Sequence, residues 1–169
     1  MEIVEIEIKG DFNEQMQSKF ESDMKALTSP CVCVLDIESP GGYVPVLEAM
    51  VNIISQKKQE GFVFVTNVDW YAYSCAFMLF LIGDIKVVSD TAELMYHSAG
   101  LVVDDRLTAA EAKEIYDVLA KADEITDRIV LENTDITPEM FNLIKKNTTF
   151  FDKQDLINFG IMQKEYSLN

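Results

Sequence analysis

Residues 31–42 read CVCVLDIESPGG, and their reading decides the fold. Cys31 to Ile37 is a nearly continuous apolar run with several β-branched residues. Such a run suits a strand buried on both faces, as in a parallel sheet. Ser39-Pro40-Gly41-Gly42 interrupts it, since proline and glycine punctuate regular structure. Leu47, Met50, Val51 and Ile54 then recur at helical spacing over about Val44 to Lys58.

The same alternation extends outward. Upstream, Ile3, Val4, Ile6 and Ile8 make a strand with partial period-two alternation. Asp11 and Glu14 have the spacing of a capping box for a helix over about Phe12 to Leu27, stopped by Thr28-Ser29-Pro30. Downstream of Gly61, Phe62 to Thr66 is a short buried strand, and Asn67 to Trp70 a turn. Tyr71 to Ile82 reads as a helix apolar on nearly all sides, which belongs inside the protein. Ile85 to Val88 and Glu93 to Tyr96 are short strands. Strands alternating with helices predict an α/β fold with a largely parallel sheet.

The character then changes. Thr108 and Glu111 form another capping box, and Ala112, Ile115, Leu119, Ala122, Ile125 and Ile129 hold one apolar stripe as far as Glu132. A helix this long exceeds the usual three turns or so and is expected to project and pack on something, another subunit included. Thr137-Pro138-Glu139 opens a further helix, and Asp152 to Phe159, closed by Gly160, a last short one. No repeat, low-complexity stretch or linker divides the chain, so one domain over 1–169 is expected.

Composition limits the function. The 169 residues hold 14 Lys and Arg against 29 Asp and Glu, a net charge of −15. So acidic a surface repels phosphate backbones and anionic lipid, which argues against nucleic acid and membrane partners. Three cysteines, Cys31, Cys33 and Cys75, are odd in number, and the first two are too close for an ordinary bridge. They read as buried thiols in a reducing compartment. The single histidine, His97, makes a Cys/His zinc site improbable. The N-terminus lacks the basic and apolar regions of a signal peptide. The longest apolar run, Cys75 to Ile82, falls far short of the ~20 residues of a membrane span. A soluble, cytoplasmic protein is expected.

Three features carry chemistry, each beside a plainer reading. Ser39-Pro40-Gly41-Gly42 could aim backbone N–H groups at a developing negative charge, or be a tight turn that needs glycine. Ser74 could be a nucleophile beside free N–H donors, or a small residue starting a helix. His97, ending the strand Leu94-Met95-Tyr96, could be a general base near neutral pH, or a structural or surface histidine.

Taken together, these features resemble the proteolytic subunit of the caseinolytic (Clp) protease family, self-compartmentalising serine peptidases. Ile37-Glu38-Ser39-Pro40-Gly41-Gly42 resembles the family's I-N-S-P-G-G, and Trp70 to Ala76 stands where it has its G-x-A-A-S-M-G nucleophile turn. Leu94-Met95-Tyr96-His97 resembles V-M-I-H, and Phe150-Phe151 with Phe159-Gly160-Ile161 resembles the closing R-D-x-F-L-S…Y-G-L. Four motifs occur in order, with Ser74 and His97 separated by 23 positions. The resemblance suggests a divergent, short member, with a virus among the conceivable sources.

The resemblance implies a crotonase-like α/β spiral, with a head over about 1–105 and 133–169 and a handle helix over about 108–132. It implies Ser74 as nucleophile, His97 as base and then acid, and an oxyanion hole from the N–H groups of Gly42 and Cys75, with Gly41 allowing close approach. It implies a homo-oligomeric ring, a heptamer, single or stacked in two. The substrate would be a peptide or unfolded polypeptide added as a strand beside the glycines. No metal or organic cofactor is implied. Any ATP dependence would belong to a partner, for the chain has no GxxxxGK[ST] loop.

Three departures accompany the resemblance. The family's triad Asp falls at Thr148, flanked by Asn147 and Thr149, and the nearest acid, Asp152, reads as a helix cap. A dyad, or a triad completed by Asn147 or Thr148, is then expected to hold the imidazole. Trp70, Tyr73 and Ala76 replace small residues, either reshaping the substrate pocket or filling core or interface space. The family's leading segment, which forms axial loops against a hexameric AAA+ unfoldase, is expected to be missing. Alternative readings are a catalytically silent ring subunit and a phage-type head-maturation protease of the same family.

Overall fold

The computed structural model of the chain describes residues 2–104 and 106–162; Met1, Asp105 and 163–169, which the expected 1–169 unit includes, lie outside the described residues. The chain opens with β1 (Ile3–Lys9), α1 (Glu14–Ala26), β2 (Val32–Glu38), α2 (Val44–Gln59) and β3 (Val63–Val68). It continues through β4 (Tyr71–Tyr73), α3 (Cys75–Leu81), β5 (Ile85–Val88) and β6 (Glu93–Tyr96). Then come α4 (Ala109–Asn133), α5 (Pro138–Ile144), β7 (Thr149–Phe151) and α6 (Lys153–Asn158).

Two sheets result. The first has four strands in the order β1-β2-β3-β5, every neighbouring pair parallel, as the β2 run predicts. Its register places Ile6 beside Leu35 and Leu35 beside Thr66, so the buried residues of successive strands align on one face. That face meets α1, α2 and α3. The expectation that β2 is buried on both faces is corrected. Cys31, Cys33, Leu35 and Ile37 are buried, but Val32, Val34, Asp36 and Glu38 on the other face are only half-buried. Half-buried and buried residues alternate along β2, so the run alternates after all.

The second sheet is mixed, in the order β4-β6-β7, with β4–β6 parallel and β6–β7 antiparallel. Two of its strands depart from expectation. Tyr71 to Tyr73 reads as the start of a helix but is extended, because Ala72 and its neighbours pair with Leu94 and its neighbours across the sheet. The helix starts only at Cys75, and α3 is buried on every side, as its composition predicts. The Asn67-to-Trp70 turn shrinks to Asp69 and Trp70, since Asn67 and Val68 extend β3. At the N-terminus the α1 cap is Asn13, whose side chain accepts from Met16 N–H at 3.0 Å, in place of Asp11. Phe12 is engaged in a bridge to Gly42, which delays the helix.

The long helix α4 is present, with Thr108 and Glu111 in the predicted capping box. Its buried residues are Ile125, Thr126, Ile129 and Val130, all in its C-terminal half. The N-terminal half stands away from the core. Thr137 caps α5 and Asp152 caps α6, both as predicted.

Candidate active site

The local backbone brings the candidate residues together. At the end of β2, Ser39 bridges to Ala72: Ser39 N–H donates to Tyr71 O at 3.3 Å, and Tyr73 N–H to Ser39 O at 3.0 Å. This bridge ties the glycine turn to β4 and so to Ser74. On its far side the turn is held by Phe12, whose N–H donates to Gly41 O at 2.8 Å and whose carbonyl accepts from Tyr43 N–H at 2.9 Å. Ser74 N–H donates to Met95 O at 2.8 Å, which brings β6 and the following His97 alongside.

Ser74 sits at φ 55 and ψ −120, and among the described residues it is the only non-glycine with positive φ. Such a backbone costs on the order of 1–3 kcal/mol and persists where the surroundings over-determine it. Here β4 pairing holds one side and the wholly buried α3 the other. The strand-to-turn-to-helix path lifts the Ser74 side chain out of both elements.

Gly41 and Gly42 are required by space as well as by backbone. A Cβ on Gly41, at φ 94, would stand 2.7 Å from Tyr73 O and 2.8 Å from Ser74 Cβ. One on Gly42, at φ 148, would stand 2.6 Å from Phe12 O. Among the described residues no backbone carbonyl accepts from the Gly42 or Cys75 N–H groups, while the backbone of both residues hydrogen-bonds the Cys75 sulfur. The Cys75 thiol donates to Gly42 O at 3.2 Å, joining the two peptide segments that carry those N–H groups. Burial pushes the Cys75 thiol up from 9.0 to about 11, so it stays protonated near neutral pH. All three cysteines are free and buried, as expected.

Ser74, Gly42 and His97 border one groove of about 660 Å³. Its opposite wall is the exposed half of α4, through Ile115, Val118, Leu119 and Ala122, with Glu114 at the edge. The apolar stripe of this helix was legible, but its use as a groove wall depends on how the helix lies. His97 is exposed, and no hydrogen bond joins it to Ser74 among the described residues.

Thr148 is exposed and does not border the groove. The antiparallel register ends with Tyr96 beside Thr149, so His97 follows and Thr148 precedes the same last pair of the ladder. Asn147 donates its N–H to Ile144 O at 3.2 Å in the turn after α5. Asp152 accepts from Asp155 N–H at 2.8 Å, the bond of a helix cap. Neither Trp70 nor Tyr73 borders the groove. Trp70 is exposed, and Tyr73 hydrogen-bonds Glu93 and packs on Tyr71 and Phe150 over the small sheet.

A parallel-sheet spiral feeding a strained serine turn beside two glycines and a histidine defines an α/β fold with a candidate serine site. The Clp protease family model matches residues 3–166, and the chain belongs to that family. The mixed sheets and the long α4 are consistent with the crotonase-like fold expected of it. The match lends no support to a viral source. No curated protein matches the chain by sequence. Among the described residues, no helix is long and apolar enough to cross a membrane.

Proposed function

We propose that the protein is a serine endopeptidase acting on peptides or unfolded polypeptides. Ser74 Oγ attacks the scissile carbonyl carbon while His97 accepts the hydroxyl proton, then passes it to the leaving amine. The oxyanion rests on the N–H groups of Gly42 and Cys75. Water, deprotonated by the same histidine, releases the acyl chain from Ser74. The substrate lies extended along the Gly41-Gly42 segment, whose other edge is occupied by Phe12. The α4 wall offers an apolar side chain its pocket. The strained backbone of Ser74, facing a groove shared with Gly42 and His97, is the observation that carries this reading.

Clp proteases form oligomeric rings, and the same assembly is proposed here, as a heptamer with one ring or two. Exposed Tyr43, Trp70, Val102, Tyr116 and Phe150 supply apolar surface for such contacts. An AAA+ unfoldase is a further candidate partner.

A second reading keeps the ring without the chemistry. Thr148 in place of the family carboxylate, and the missing Ser74–His97 hydrogen bond, favour it. Labelling of the purified protein with a fluorophosphonate separates the two. Stoichiometric labelling that disappears in Ser74→Ala, at unchanged oligomer size, is expected. An assembled ring that takes no label would establish the silent subunit instead.

A further inference from the structure

The residue that carries the proposed base is weakly held by regular structure. β6 ends at Tyr96, and the next element begins at Ala109. The imidazole of His97 has no hydrogen bond among the described residues to set its place. Two bonds just beyond it do so. Ser98 Oγ donates to Lys145 O at 3.1 Å, and Ala99 N–H donates to Asp123 Oδ1 at 3.0 Å.

Both anchors converge on the buried half of α4. Asp123 is half-buried and lies one turn before Asp127, whose carboxylate binds Lys145 Nζ at 2.7 Å. Lys145 also stands over the Phe141 ring, 5.7 Å from its centroid. The Lys145 anchor is thus a backbone carbonyl on a well-packed residue, and the Asp123 anchor is a charge-assisted bond. Such a bond is roughly twice as strong as a neutral one. Cutting the stronger of these two ties frees the His97–Ala99 backbone to move.

We propose that Asp123 is a positioning residue for His97: its carboxylate holds the His97–Ala99 backbone against α4 and so sets where the imidazole stands in the groove. This rests on the reading of His97 as the base. Asp123 touches neither substrate nor the reacting atoms; it acts through the Ala99 peptide.

His97 is the only histidine in the chain, so a histidine-labelled sample reports on it alone in an NMR spectrum. One narrow Cε1–H signal is expected for the native protein and for Asp123→Asn, whose amide oxygen still accepts. Asp123→Ala is expected to broaden or split that signal and to slow fluorophosphonate labelling of Ser74 by about tenfold or more. Ala99→Pro removes the donor from the other side, and its signal should change likewise should Asp123→Ala fail to fold. A folded Asp123→Ala protein with the native position and width of that signal would overturn the proposal. A signal that responds in a protein that never takes label would uphold the positioning and defeat the peptidase reading.

Discussion

At residue 74 a side chain with a Cβ occupies backbone space that glycine enters freely. Ser74→Ala keeps the Cβ and therefore the strain. Ser74→Gly removes it, and the greater freedom of an unfolded glycine offsets part of the gain. Ser74→Gly is expected to be more stable than Ser74→Ala by about 1 kcal/mol, read from urea unfolding of the two variants. Equal midpoints would mean that the turn is relaxed. The residue types of the site were legible: Ser74, His97, Gly41 and Gly42 stand in motifs with recognisable order. The strain was not, because Tyr71 to Tyr73 carries the apolar pattern of the following helix. Only the pairing of those residues with β6 makes them a strand and places Ser74 at the corner.

At the scale of elements, β7 and α4 set what surrounds the histidine. β7 has three residues, too few for a periodic signal, and its strand character comes from its partner β6. That partnership brings Thr148 and His97 to the same end of the β6–β7 pair. Thr148→Asp puts a carboxylate at that exposed position and is expected to raise the rate of fluorophosphonate labelling. Unfolding free energy should change by less than about 0.5 kcal/mol, as for most surface substitutions. An unchanged labelling rate would mean that residue 148 does not act on the imidazole. The helix α4 was foreseen with its cap and its stripe. Its division into a buried half that holds Asp123 and an open half that walls the groove follows from where the sheets end, which its own periodicity does not encode.

Across the whole molecule, burial governs how the protein meets alkali. It raises Cys75 from 9.0 to about 11, Cys33 from 9.0 to about 12 with Cys31 adding to the effect, and Tyr96 from 10.0 to about 12. The folded chain keeps these protons while the unfolded chain releases them. The stabilising effect is therefore complete below about pH 9 and is lost as pH rises to about 12. The urea midpoint is expected to hold steady from about pH 8 to 9 and to fall by pH 10.5 or so. A midpoint that does not fall between about pH 9 and pH 12 would contradict the burial of these groups.

The sequence by itself determined the α/β alternation, the parallel pairing of the central strands, the helix caps at Thr108, Thr137 and Asp152, and the identities of the serine, histidine and glycines. These depend on local periodicity, capping chemistry and glycine's backbone freedom, all of which act over a few neighbouring residues. The tertiary structure alone decided that one face of the first sheet stays half-covered, that Tyr71 to Tyr73 extends, and that Thr148 and His97 stand at the same end of the β6–β7 pair. It alone set Asp123 under the loop that carries His97. Each of these depends on which distant segment supplies the partner for a backbone edge or an apolar face, and no local pattern holds that information.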